Sequence, residues 1–190
     1  MIKYYIEKVI DKENLTIKEA YDAMDKIMSG EVNPSQLAGF LIALKSKGET
    51  AEEIGGFANA MRNKSIKLDV EGENIIDVCG TGGDYSGTFN ISTTTAFIVA
   101  GAGIKVAKHG NRSISSNSGS ADVLSELGIN INLNAEQSQR ALTKVGISFL
   151  FAPNFHPAMK YAAPVRKELG IKTVFNLLGP LTNPANTKKQ

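Results

Sequence analysis

The sequence predicts an α/β protein in which a small amino-terminal helical domain precedes a mainly parallel-sheet α/β domain. Three observations predict it. Up to about residue 70, apolar residues recur at helical spacing between helix-capping residues; from Glu71, short apolar runs alternate with helical segments; and two of those runs lead directly into glycine- or serine-rich polar loops. The expected domains are therefore 1–70, helical, and 71–190, α/β.

In the helical part, Ile2, Tyr5, Ile6, Val9 and Ile10 share one face. Thr16 and Glu19 have the spacing of a capping box ahead of Ile17, Ala20, Met24, Ile27 and Met28. Asn33 with Pro34 starts a third helix carrying Leu37, Phe40, Leu41 and Leu44, which Gly48 can end. Thr50 and Glu53 open a fourth, with Ile54, Phe57, Ala58 and Met61. These stripes can pack on one another, and any apolar excess would form an interface with a second subunit.

Strands are expected at Ile75 to Cys79, Ile104 to Ala107 and Ile147 to Ala152, and helices at Ile91 to Ala100, Ala121 to Leu127 and from the Asn134–Gln137 cap to Val145. A further helix is expected around Met159 to Leu169. Alternating strands and helices favour a parallel sheet with crossover helices, and ligands meet the carboxyl edge of such a sheet.

Two loops at that edge carry the chemistry. After the first strand come Gly80-Thr81-Gly82-Gly83-Asp84, then a helix starting near Asn90. Glycines let backbone N–H groups approach phosphate oxygens, and the helix adds the positive end of its dipole. Asp84 would repel a bare phosphate, so the loop suits a metal-bound sugar phosphate; an ordinary tight strand–helix turn is the other reading. Commoner glycine motifs do not fit, because a dinucleotide fingerprint needs glycine at Tyr85 and a P-loop needs lysine at Thr88. The second loop, Lys108-His109-Gly110-Asn111-Arg112-Ser113 followed by Ser115, Ser116 and Ser118 to Ser120, joins cations, hydroxyls and glycines ahead of another helix. A solvated connection is its ordinary reading.

Composition narrows the class. With 190 residues, 42% of them hydrophobic, the chain can bury a sizeable core. Lys+Arg 21 against Asp+Glu 19 gives a net +2, too little for electrostatic nucleic-acid binding. The single cysteine, Cys79, allows no intramolecular disulfide and fits a reducing cytoplasm. The amino terminus interleaves charges with apolar residues, unlike a signal peptide, and no stretch approaches the ~18 apolar residues of a membrane span.

The strings Gly80 to Asp84, Asn90-Ile91-Ser92-Thr93, Lys108 to Ser113 and Ser118-Gly119-Ser120-Ala121-Asp122 resemble the motifs of the anthranilate phosphoribosyltransferase family. His156-Pro157, Pro164-Val165-Arg166 and Phe175 to Pro184 extend the resemblance, which covers the whole chain. It implies the nucleoside phosphorylase/phosphoribosyltransferase-like fold, with about 157–178 packing back on the helical domain, and a homodimer formed through that domain. It also implies a longer protein. This chain would be its amino-terminal portion, since a second acidic pair that holds magnesium lies later in the family and no Asp-Glu dipeptide occurs here.

The activity implied is transfer of the phosphoribosyl group of 5-phosphoribosyl 1-pyrophosphate to the amine of anthranilate, with Mg2+ as cofactor. Carried across by position, Gly80, Gly82, Gly83 and Asp84 meet the pyrophosphate side of the donor, continued by Thr88, Asn90, Ile91, Ser92 and Thr93. Ser92 is the implied magnesium ligand, although a helix cap is its ordinary role. Lys108, His109, Gly110, Asn111, Arg112, Ser113, Ile114, Ser115 and Ser116, with Ser120, hold the 5-phosphate and ribose. Gly80, Asn111, His156 and Arg166 face the acceptor, Arg166 offering a planar fork to its carboxylate. No general base is assigned, because an aromatic amine is already neutral near pH 7. Asn117 stands where many relatives carry a basic residue. Two other readings stay open: a pyrimidine nucleoside phosphorylase, and a non-catalytic sugar-phosphate-binding module.

Overall fold

Four helices follow one another at the amino end: α1 (Ile2–Ile10), α2 (Ile17–Met28), α3 (Pro34–Lys47) and α4 (Ala51–Lys64). Side chains set their starts. The Thr16 hydroxyl accepts from Glu19 N while Glu19 accepts from Thr16 N, Thr50 and Glu53 repeat the exchange, and Asn33 accepts from Gln36 N with Pro34 in the first turn. The computed structural model describes residues 2–70, 74–81, 89–112 and 118–190. It contains two compact units, of which the first is Met1–Ser65 with His156–Thr182.

The core of that unit is built from Met24, Ile27, Leu37, Phe40, Leu41, Leu44 and Phe57, with Phe40 and Phe57 edge-on at 6.2 Å between ring centres. At Gly56 a Cβ would lie 2.4 Å from the Ile17 carbonyl oxygen, so α2 and α4 approach as closely as glycine permits. Helical spacing puts Ile10 and Ile17 on the buried faces, yet they are 59% and 52% exposed. Ile10 is the last residue of α1 and Ile17 the first of α2.

The second unit, Ile66–Phe155 with Asn183–Gln190, alternates strands with helices. In order these are β1 (Ile75–Ile76), α5 (Ile91–Gly101), β2 (Lys105–Gly110), α6 (Ser120–Glu126), α7 (Ala135–Val145), β3 (Ile147–Phe151) and α8 (Ala152–Phe155). The sheet is parallel, ordered β1-β2-β3, with Ile75 opposite Lys105 and Val106 to Gly110 opposite Ile147 to Phe151. Alternation along β3 sends Leu150 into one cluster with Ala107, Leu142 and Phe155, and Phe149 and Phe151 into another with Ala121, Leu124 and Ile131.

Two strand boundaries differ from expectation by three residues, while β2 starts and β3 ends one residue inside the expected runs. β1 ends at Ile76, which also bridges Lys189 in parallel, the Asp77 N–H donating to Lys189 O at 3.0 Å. β2 continues to Gly110, because β3 pairs with it as far as Phe151. Lys108, His109 and Gly110 are therefore strand residues, not loop residues.

Beyond α8 the chain re-enters the first unit through a 3-10 helix (Pro157–Tyr161), α9 (Ala163–Leu169), α10 (Phe175–Leu178) and a 3-10 turn (Pro180–Thr182). The single helix expected over Met159 to Leu169 is broken at Ala162. Pro164 has no N–H to continue a helix but suits the first turn of a new one.

Candidate functional site

In the α/β unit, β1 and β2 are neighbours, so the chain leaving each strand for its polar loop does so from the same sheet edge. Gly80 and Asn111 are exposed there. The helices entered next are tied together at their first turns. Thr93 Oγ1 lies 2.9 Å from Ser120 Oγ, and Asn90 Nδ2 donates to Ser118 Oγ at 3.4 Å. Asn90, Thr93 and Ser120 are thus brought together, with Thr93 buried. Gly82, Gly83, Asp84, Thr88, Ser113, Ile114, Ser115, Ser116 and Asn117 lie outside the described residues.

Lys108 is the least ordinary residue of the set. It is 3% exposed and makes no hydrogen bond or ion pair among the described residues. Burial pushes its ammonium pKa down, while Cys79 and Asp77 favour the charged form. An ammonium withdrawn from water without a partner is costly, and an anionic ligand would remove that cost. Gly110 is on the same sheet face by alternation, where a Cβ would meet the Phe149 ring at 2.7 Å.

Arg112 and Asn111 have local partners. Arg112 Nη1 is 2.9 Å from Asp122 Oδ1, and Asp122 Oδ2 accepts from Gly119 N at 2.8 Å, closing the first turn of α6. Asn111 Oδ1 accepts from Arg112 N at 2.8 Å. Ile91 is exposed, and His109 is buried with its backbone N–H given to Asp77. Ser92, the second residue of α5, is half-buried, and its hydroxyl has no hydrogen-bond partner among the described residues. A hard neutral oxygen so placed fits magnesium, which takes one or two protein ligands and completes its shell with water and phosphate oxygens.

A second set of possible metal donors does not fit. One ligand atom each from Asp77, Cys79 and His109 lie within 4.8 Å of one another. Their mix of thiol, imidazole and carboxylate suits a softer ion than magnesium. Both Asp77 oxygens already accept hydrogen bonds, and burial, with Asp77 adding and Lys108 opposing, pushes the Cys79 thiol up to about 12. The cluster is a hydrogen-bond hub. Asp77 and its partner Asn183 were missed by motif reasoning; the signal was a carboxylate one residue past an apolar strand pair.

The remaining acceptor candidates belong to the first unit. His156 is buried ahead of the 3-10 helix Pro157–Tyr161. Arg166 sits on α9 with its guanidinium 5.0 Å over the Phe175 ring, and burial pushes its pKa down. A surface ion pair would be the ordinary use of an arginine beside Lys167 and Glu168, but no carboxylate pairs with it among the described residues.

The helical bundle domain of the glycosyl transferase family matches residues 3–65, and that family's a/b domain matches residues 72–190. The anthranilate phosphoribosyltransferase of Petrotoga mobilis is 58% identical over 190 residues, all of this chain and 55% of the relative. The crystal structure of the Thermus thermophilus enzyme of that name superposes with a TM-score of 0.89 at 49% identity, covering 95% of this chain and 55% of that one. The Saccharomyces cerevisiae enzyme in complex with PRPP and Mg gives 0.88 at 34% identity, covering 97% and 55%. The chain spans about half the length of the curated relatives it matches. With both domain types present in order, it belongs to the glycosyl transferase family that joins a helical bundle domain to an a/b domain.

Proposed function

We propose that this chain is the amino-terminal portion of an anthranilate phosphoribosyltransferase of tryptophan biosynthesis, and that its α/β domain binds 5-phosphoribosyl 1-pyrophosphate. The observation that carries the reading is Lys108, a buried ammonium with no partner among the described residues at the sheet edge where two polar loops begin. In the reaction, the bond from the anomeric carbon to a pyrophosphate oxygen breaks, the anthranilate amine forms the new carbon–nitrogen bond and loses a proton, and pyrophosphate leaves. Lys108 and Ser120 neutralise and hydrogen-bond the 5-phosphate. Asn90 and Thr93, with the glycine run from Gly80, orient the pyrophosphate side, where backbone N–H groups meet the charge that develops as it leaves.

Ser92 would hold Mg2+, which neutralises the leaving pyrophosphate. On the acceptor side, Arg166 takes the carboxylate in its fork and Asn111 offers its amide N–H to the carboxylate or amine. His156 stands as a further acceptor contact without a proton-transfer role. We further propose a cytoplasmic homodimer joined through the helical domain, supported by the exposed Tyr4, Ile10, Ile17 and Ile42 of that unit.

Calorimetric titration of the 190-residue chain with donor and Mg2+ tests the site. Weak binding that Lys108→Met abolishes is expected, with no appreciable turnover of anthranilate. Binding by Lys108→Met as strong as by the original chain would sink the reading. Light scattering tests the dimer, and a monomer at every concentration would remove it.

A further inference from the structure

Asp77, which plays no part in the chemistry above, is 0% exposed and sits one residue past β1 where the first loop begins. Its Oδ1 accepts from Cys79 N at 3.0 Å and from His109 N at 3.1 Å. Its Oδ2 accepts from Asn183 Nδ2 at 2.7 Å. Asn183 Nδ2 also donates to Ala107 O at 2.8 Å, and Asn183 Oδ1 accepts from Ala185 N at 2.8 Å. Every side-chain polar atom of this pair is therefore engaged, across three stretches of chain distant in sequence.

The position explains why a carboxylate is there. The last register pair of β1 and β2 is Ile76 with Val106. Past it the strand ends share no ladder rung, yet Cys79 immediately precedes Gly80 and His109 immediately precedes Gly110. One oxygen of Asp77 holds both of their N–H groups and replaces the missing rung. The charge repels a phosphate, although it also favours the charged form of Lys108; what this carboxylate alone supplies is geometry, one oxygen accepting from two N–H groups, one past the end of β1 and one on β2. A donor carrying phosphate at one end of a ribose and pyrophosphate at the other needs two loops at a fixed separation, and a misplacement of ~1 Å can cost about a hundredfold.

We propose that Asp77, oriented by Asn183, is a positioning residue that fixes the separation of the Gly80 and Gly110 backbones and so the span between the two anionic ends of one donor molecule. This rests on the donor-site reading above. It makes the segment carrying Asn183 part of the donor site's support.

The test follows the Gly80 and Gly110 amide resonances of the isotope-labelled 190-residue chain during titration with 5-phosphoribosyl 1-pyrophosphate and Mg2+. Asp77→Ala and Asn183→Ala should each weaken binding at least tenfold and move both glycine resonances before ligand is added. Asp77→Asn, whose Oδ1 still accepts from Cys79 and His109, should lose less than Asp77→Ala. Phe57→Ala, which lowers the melting temperature from the core of the helical unit, should bind within twofold of the original chain. Folded Asp77→Ala or Asn183→Ala protein that binds within twofold would overturn the proposal, as would an equal loss in Phe57→Ala. If Asp77→Ala fails to fold, Asn183→Ala decides. No binding by the original chain would overturn the donor-site reading and this inference with it, whereas unaffected variants would overturn this inference alone.

Discussion

The amino-terminal helices and the α/β unit treat buried charge in opposite ways. Glu53 is fully buried, and its oxygens are answered from within the helical unit: Leu15 N at 2.9 Å, Thr50 N at 2.8 Å and Lys47 Nζ at 2.9 Å. Lys108 is buried almost as deeply and has no such answer among the described residues. In the first region charge locks a helix start to the turn before α2 and to the end of α3. In the second no hydrogen bond or ion pair from a described residue answers the buried charge. Arg166, stacked on Phe175 but with no carboxylate paired to it among the described residues, stands in the helical unit and yet follows the second rule.

That contrast is broken most severely at Glu53. Glu53→Ala leaves two backbone N–H groups without their acceptor and the Lys47 ammonium with only the neutral oxygens of Asn14 and Gly48, and should lower stability by about 3 kcal/mol, read by urea unfolding. A loss below about 1 kcal/mol would show that the buried pair does not hold the helices together. Burial by itself raises the Glu53 pKa, but the N–H groups of Leu15 and Thr50 and the Lys47 ammonium outweigh it and hold the value down. The Lys8 ammonium, with help from Thr16, holds Glu19 at about 2. Both carboxylates have depressed folded values, so their contribution is complete above the ordinary 4.5 and is lost as pH falls below it, for Glu19 towards about 2. Glu19→Gln should flatten acid unfolding in that window.

A smaller effect on the same side is expected from Gly56→Ala. The added Cβ would press on the Ile17 carbonyl, a backbone atom that cannot swing aside, and α2 and α4 must separate at a cost of about 2 kcal/mol. An unchanged melting temperature would mean that the two helices slide freely. Lys108→Met should behave in the opposite sense, with stability unchanged or higher and donor affinity down at least about tenfold. A loss of stability as large as that of Glu53→Ala would show that Lys108 serves the fold, and the comparison would collapse.

The two regions also differ in how legible they were. The Thr16–Glu19, Thr50–Glu53 and Asn134–Gln137 caps could be read because a capping box is a local event, complete within four residues. The parallel α/β layout was readable from alternation. The end of β2 was not, because its extension through Lys108 to Gly110 depends on pairing with β3, some forty residues away. For the same reason Lys108 read as a loop lysine, when its burial is what makes it informative. The Asp77–Asn183 bond joins residues 106 apart in sequence and has no local signature at all. Ile10 and Ile17 had the right spacing but lie at helix ends, where periodicity cannot say how far a core reaches.

The smallest expected effect concerns Arg112, which the family resemblance puts among the donor contacts and the structure pairs with Asp122. That pair is substantially exposed, with side-chain exposures of 56% and 32%, so breaking it should change stability by less than about 0.5 kcal/mol. Its influence on the ligand is a matter of competition: while Asp122 holds the guanidinium, a phosphate must displace a carboxylate to gain it. Asp122→Asn keeps an oxygen to accept from Gly119 N but removes the charge that holds Arg112. Donor affinity should then rise by about twofold, more at low salt, where a released guanidinium acts over a longer range. Calorimetry at two salt concentrations reads this directly. If affinity falls instead, the ion pair itself shapes the second loop for binding, and Arg112 belongs with Asp77 among the residues that position the site.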